Sequence, residues 1–68
     1  MSKRNLHVVQ RPDGAWVIRR AGSSRATSSH STQGEAERQA TKIAKKEKGQ
    51  VFIHRTNGRI RDVKSFKN

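Results

Sequence analysis

The chain has no cysteine and no tyrosine, and only five acidic residues among its 68. Without cysteine it forms neither a disulfide scaffold nor a thiolate metal site. One tryptophan and two phenylalanines are its whole aromatic content apart from histidine, so the core has to be built mainly from aliphatic side chains. No apolar run approaches the ~20 residues of a membrane-spanning helix. Residues 1–5 lead into a strand-like alternation and not into the apolar stretch of a secretory signal. These absences give the expectation of a cytoplasmic protein with no membrane contact and no cofactor.

What is abundant is positive charge. Sixteen Lys and Arg give a net charge of +11. The excess is spread along the chain, +5 over residues 1–30, +2 over 31–50 and +4 over 51–68, so no detachable basic tail accounts for it. A field of this strength on a small domain attracts polyanions. Nucleic acid, DNA or RNA, is the first expected partner and an acidic protein the alternative. At this length one domain is expected, spanning 6–66 between flexible ends at 1–5 and 67–68. Such a domain buries only about 60% of the surface of its unfolded chain, and pairing into a homodimer would supplement its core.

Residues 6–11 and 15–20 are β-branched and aromatic runs separated by Pro12-Asp13-Gly14, which predicts a hairpin. Residues 25–30 are poor in apolar side chains and form an edge strand only if Thr27 and the serines pair. Thr32-Gln33-Gly34-Glu35 fits a capping box, placing a helix start near Gln33. Ala36, Ala40, Ile43 and Ala44 make one apolar stripe, basic residues gather in the last turn, and Gly49 is the expected stop. Residues 50–55 are the most apolar strand, and Asn57-Gly58 predicts a tight two-residue turn into a last strand over 59–63. The expected fold is α+β: one antiparallel sheet of four to five strands with a single helix on one face, in the order β-β-(β)-α-β-β. No internal repeat is apparent. Trp16, Ile18, Ile43, Val51 and Ile53 are the expected core, with Ala36, Ala40 and Ala44 as the close helix contact.

The order of His7-Val8-Val9, Pro12-Asp13-Gly14 with Trp16, Thr32-Gln33-Gly34-Glu35-Ala36, Ile53-His54 and Gly58-Arg59-Ile60-Arg61 resembles a family of short bacterial and phage proteins known only as a domain of unknown function. The resemblance covers residues 6–66 and implies a fold without an assigned activity. It departs at Gly34, where the resemblance implies alanine in many relatives, and this weakens the first helical turn by up to ~1 kcal/mol.

The binding residues expected from the sequence are Arg55, Arg59 and Arg61 as the main phosphate patch, Lys42 and Lys46 from a nearby helix edge, and Arg11 and Arg19 on strands. Arginine suits this task because its planar fork donates two parallel hydrogen bonds to phosphate or guanine. Three guanidinium groups around one hairpin repel each other unless an anion sits among them. Trp16 is read as core and not as a stacking platform. Phe52 and His54 face the side of their strand opposite Val51 and Ile53, which leaves them buried on both sides, exposed, or covered by a second copy. His7, His30 and His54 lie on separate elements with no ligand spacing and no accompanying nucleophile or carboxylate pair. No enzyme activity is expected.

Overall fold

The computed structural model describes residues 5–22 and 26–66. Five strands and one helix follow in the order β1 (Asn5–Gln10), β2 (Trp16–Arg20), β3 (Ala26–His30), α1 (Gln33–Glu47), β4 (Gln50–His54) and β5 (Ile60–Ser65). All five strands form one sheet, ordered β3-β2-β1-β4-β5. The most apolar strands, β1 and β4, lie inside, whereas the Ser-rich β3 and the charged β5 take the edges. Polar edges of this kind keep a sheet from pairing with other chains.

The sheet is mixed, and this corrects the expected all-antiparallel arrangement. β1 and β4 pair in parallel, Leu6 beside Val51 and Val8 beside Ile53. The remaining pairs are antiparallel. The reason lies in the helix: α1 carries the chain back along the sheet after β3, so β4 must start again in the direction of β3 and β1, and a parallel neighbour requires such a crossover. β4 then docks on the apolar edge left open by β1.

The two hairpin loops are the same device. In each, the first arginine and the residue four positions on close a three-residue loop, with Arg11 N–H donating to the Ala15 carbonyl (2.7 Å) and Arg55 N–H to the Arg59 carbonyl (2.6 Å). The glycine amide returns to the arginine carbonyl at 2.9 Å in both loops, and Gly14 and Gly58 take φ of 93° and 86°. The middle residue supplies an acceptor, Asp13 to the Ala15 amide and Asn57 to the Arg59 amide. The second loop is therefore Thr56-Asn57-Gly58 and not a two-residue turn, and an Arg-x-Asp/Asn-Gly pattern recurs that was not apparent as a repeat.

Leu6, Val8, Trp16, Ile18, Val51 and Ile53 meet Ala36, Ala40 and Ala44 in the core, while Ile43, expected within it, is only partly buried at its margin, as is Phe66. Thr32 caps the helix, its side chain accepting from the Glu35 amide at 3.2 Å. At the other end Lys48, not Gly49, adopts the left-handed conformation (φ 56°), and the Gly49 amide donates to the Ala44 carbonyl at 2.8 Å. A methyl added at Gly34 meets no atom within 4 Å, so an alanine would fit there. Asn5 belongs to β1 and pairs with Gln50, and β5 runs on to Ser65, past the strand end expected at residue 63. Residues 1–4, 67–68 and Arg25 lie outside the described residues. Among the described residues no helix is long and apolar enough to cross a membrane.

Candidate nucleic-acid interface

Because α1 covers one side of the sheet, strand alternation leaves a second, uncovered face. Across it runs one row of cross-strand neighbours, Ala26, Arg19, His7, Phe52 and Val63. A second row contains Ser29, Val17 and Val9, and beyond them His54 beside Ile60. Val17 is buried, His7, Val9, Phe52 and His54 are half-buried, and Ile60 and Val63 remain 52% and 47% exposed. None of the five carboxylates lies on this face. Glu35, Glu37 and Glu47 are on the helix, Asp13 caps the first loop, and Asp62, opposite Ile53 on the helix side, accepts from the Val63 amide.

Three rings meet at the centre of the uncovered face. His7 stacks on Phe52 with centroids 4.9 Å apart and planes 15° from parallel, and His54 leans against His7 at 5.3 Å and 38°. His54 Nδ1 lies 3.2 Å from the Gly58 carbonyl, which only accepts, so that nitrogen carries a proton. With both rings neutral, His54 Nε2 accepts from His7 Nδ1 at 3.0 Å, leaving a lone pair on His7 Nε2. Burial, then the nearby His54 and Arg19, hold the His7 pKa below its ordinary value of 6.5. Nothing along the chain marks this pairing, because the partners are 47 residues apart and only the parallel β1–β4 register brings them together. His30 sits elsewhere, bonded to the Ser28 hydroxyl at 2.9 Å. Among the described residues no three His, Asp or Glu side chains are grouped as a metal site.

The expected binding residues separate into two groups. Arg11 and Arg19 line a depression of about 220 Å³ on the uncovered face, floored by Val9 and Val17. Arg55 and Arg61 belong to the opposite side, along the flank between α1 and β5. A bulge in β5 places both Arg61 and Asp62 opposite Ile53, and it turns Arg61 toward the helix, where it donates to Gln33 (3.2 Å) and Glu37 (3.3 Å). Lys64 reaches the same Glu37 at 2.8 Å. The anion that this arginine cluster demanded is thus partly supplied by the chain itself.

Arg55 lines a groove with Trp16, Gln33 and Arg61 at the start of the helix, and Arg59 sits opposite Arg55 at the loop mouth. Lys42 and Arg38 border the next groove of the flank, with Glu37 and Lys64. Lys46 stands one turn beyond Lys42 on the same side of the helix, 13 residues and about 20 Å along its axis from Gln33. Trp16 is in the core, 8% exposed, as its sequence context implies.

No curated protein and no solved structure matches the chain. A family model matches over residues 6–66, nearly the whole length, and by that match the chain belongs to the bacterial family described as an uncharacterized protein conserved in bacteria (DUF2188).

Proposed function

We propose that this is a small, non-enzymatic nucleic-acid-binding protein of the cytoplasm that attaches mainly through phosphates. The observation that carries the reading is the flank between α1 and β5, where Arg38, Lys42, Arg55, Arg61 and Lys64 line adjoining grooves with Glu37, and Glu35 borders Arg38 and Lys42 on their other side. Counted with Arg59 at the loop mouth and Asp62 on β5, six cations against three carboxylates leave a net positive track, and phosphate contacts of this kind position a polyanion without reading its sequence. Arg55 and Arg59 bear most of the contact, because Arg61 and Lys64 are already engaged by Glu37.

Duplex binding measured against salt tests this. With about 3–6 phosphates neutralised, log affinity falls linearly with log salt at about −0.9 per phosphate. Arg55→Ala with Arg59→Ala flattens that slope by about two contacts, whereas Arg61→Ala costs less. Absence of binding in low salt at tens of micromolar, roughly the non-specific range, removes the reading and leaves an acidic protein as the partner.

A further inference from the structure

We infer that the uncovered sheet face is a stacking platform for single-stranded nucleic acid, with the bases on the His7–Phe52–His54 rings and the backbone held by Arg19 and Arg11; this rests on the nucleic-acid reading above. The helix leaves these rings uncovered, and two of them are already near-parallel at 4.9 Å. They lie on a broad face that, among the described residues, carries no carboxylate side chain. Burial, with His54 and Arg19 beside it, favours the neutral form of His7, so the ring does not set a second cation against Arg19.

Dimensions agree with the assignment. Arg19 is two strands from Phe52, about 10 Å at the usual strand spacing, within side-chain reach of the phosphate beside a base stacked on Phe52. A duplex cannot use this surface, because its bases are stacked on each other and show only their edges, whereas a single strand splays its bases onto rings. Val9, Val17 and Val63 extend the apolar floor on either side.

A second copy of the chain covering the same face is the competing occupant. Equilibrium binding of a labelled deoxythymidine oligomer, and of a duplex of equal length at the same salt, is measured for the wild type, Phe52→Leu, Phe52→Tyr and His7→Gln. Sedimentation of the free protein at the same concentration accompanies it, and circular dichroism verifies folding. The expected result is tighter binding of the single strand, an approximately tenfold loss on that ligand alone in Phe52→Leu, consistent with the usual worth of one stacked base, and retention in Phe52→Tyr. His7→Gln removes a ring while keeping polar capacity and gives the same selective loss, so the test stands if the leucine variant does not fold. Equal affinity for both ligands, or equal losses on both, overturns the platform and leaves phosphate binding in place. Binding of neither ligand overturns the function as well. A dimer at assay concentration that becomes monomeric in Phe52→Leu assigns the face to a second copy.

Discussion

At the scale of single residues, His7 shows how position changes chemistry. On an exposed strand it would titrate near 6.5, yet here it is half-buried against Phe52, with His54 facing it from β4 and Arg19 from β2, and its pKa is lowered. The folded chain therefore binds this proton less readily than the unfolded chain, which holds more protons between the lowered pKa and 6.5. Stability rises with pH across that window and is lost as the pH falls below about 6.5. The denaturation midpoint is expected to drop between about pH 7 and about pH 5, and to drop less in His7→Gln. Parallel pH profiles for the two proteins would assign the titration to another group. Arg61 makes the complementary point: as a β5 residue it reads as a free cation, and only the bulge that turns it onto Glu37 makes it half-committed.

At the scale of elements, the helix is the simplest device in the molecule. Its three fully buried residues are Ala36, Ala40 and Ala44, so its axis lies close to the sheet, and the bulk beneath it comes from Leu6, Val8, Ile18, Val51 and Ile53. A larger side chain at the centre of that stripe has nowhere to go. Ala40→Leu is expected to overpack and cost about 1–3 kcal/mol, read as a lowered urea midpoint, and an unchanged midpoint would mean that another helix face meets the sheet. This stripe was legible in the sequence because apolar spacing on a helix names the buried face directly, as the glycines of the two loops named the hairpins. The parallel β1–β4 pair was not legible. Nothing local in Leu6–Val9 or Val51–His54 records which strand lies beside which, and the partnership is set by the crossover through α1. The candidate site divides along the same line: the basic residues were visible from composition, whereas their separation onto two faces and the meeting of His7 with His54 depend on long-range register.

At the scale of the whole molecule, the charge that recommends a polyanionic partner also opposes folding. The Cα radius of gyration is 10.8 Å, while the screening length is about 30 Å at 0.01 M salt, about 10 Å at 0.1 M and about 3 Å at 1 M. In dilute buffer every charge of the +11 chain therefore acts on every other, and at high salt only neighbours interact. The ion pairs that stabilise the fold, Arg20–Glu47 at 2.7 Å, Lys64–Glu37 at 2.8 Å and Arg61–Glu37 at 3.3 Å, are contacts as short as the shortest of these lengths. Part-exposed pairs of this kind contribute at most about 1 kcal/mol each, and screening weakens them less than it weakens the long-range repulsion. The melting temperature is therefore expected to rise as sodium chloride increases from about 0.01 M to about 0.5 M, the range over which the screening length contracts to below the molecular radius. Nucleic-acid affinity over the same range is expected to fall. In dilute buffer a bound polyanion does both tasks, neutralising the repulsion and favouring the folded state by mass action, so added oligonucleotide should raise the melting temperature most where salt has raised it least. A melting temperature that falls steadily with salt would show that the ion pairs around Glu37 and Glu47 outweigh the repulsion. The free protein would then gain nothing from a polyanion's charge beyond the contacts it makes.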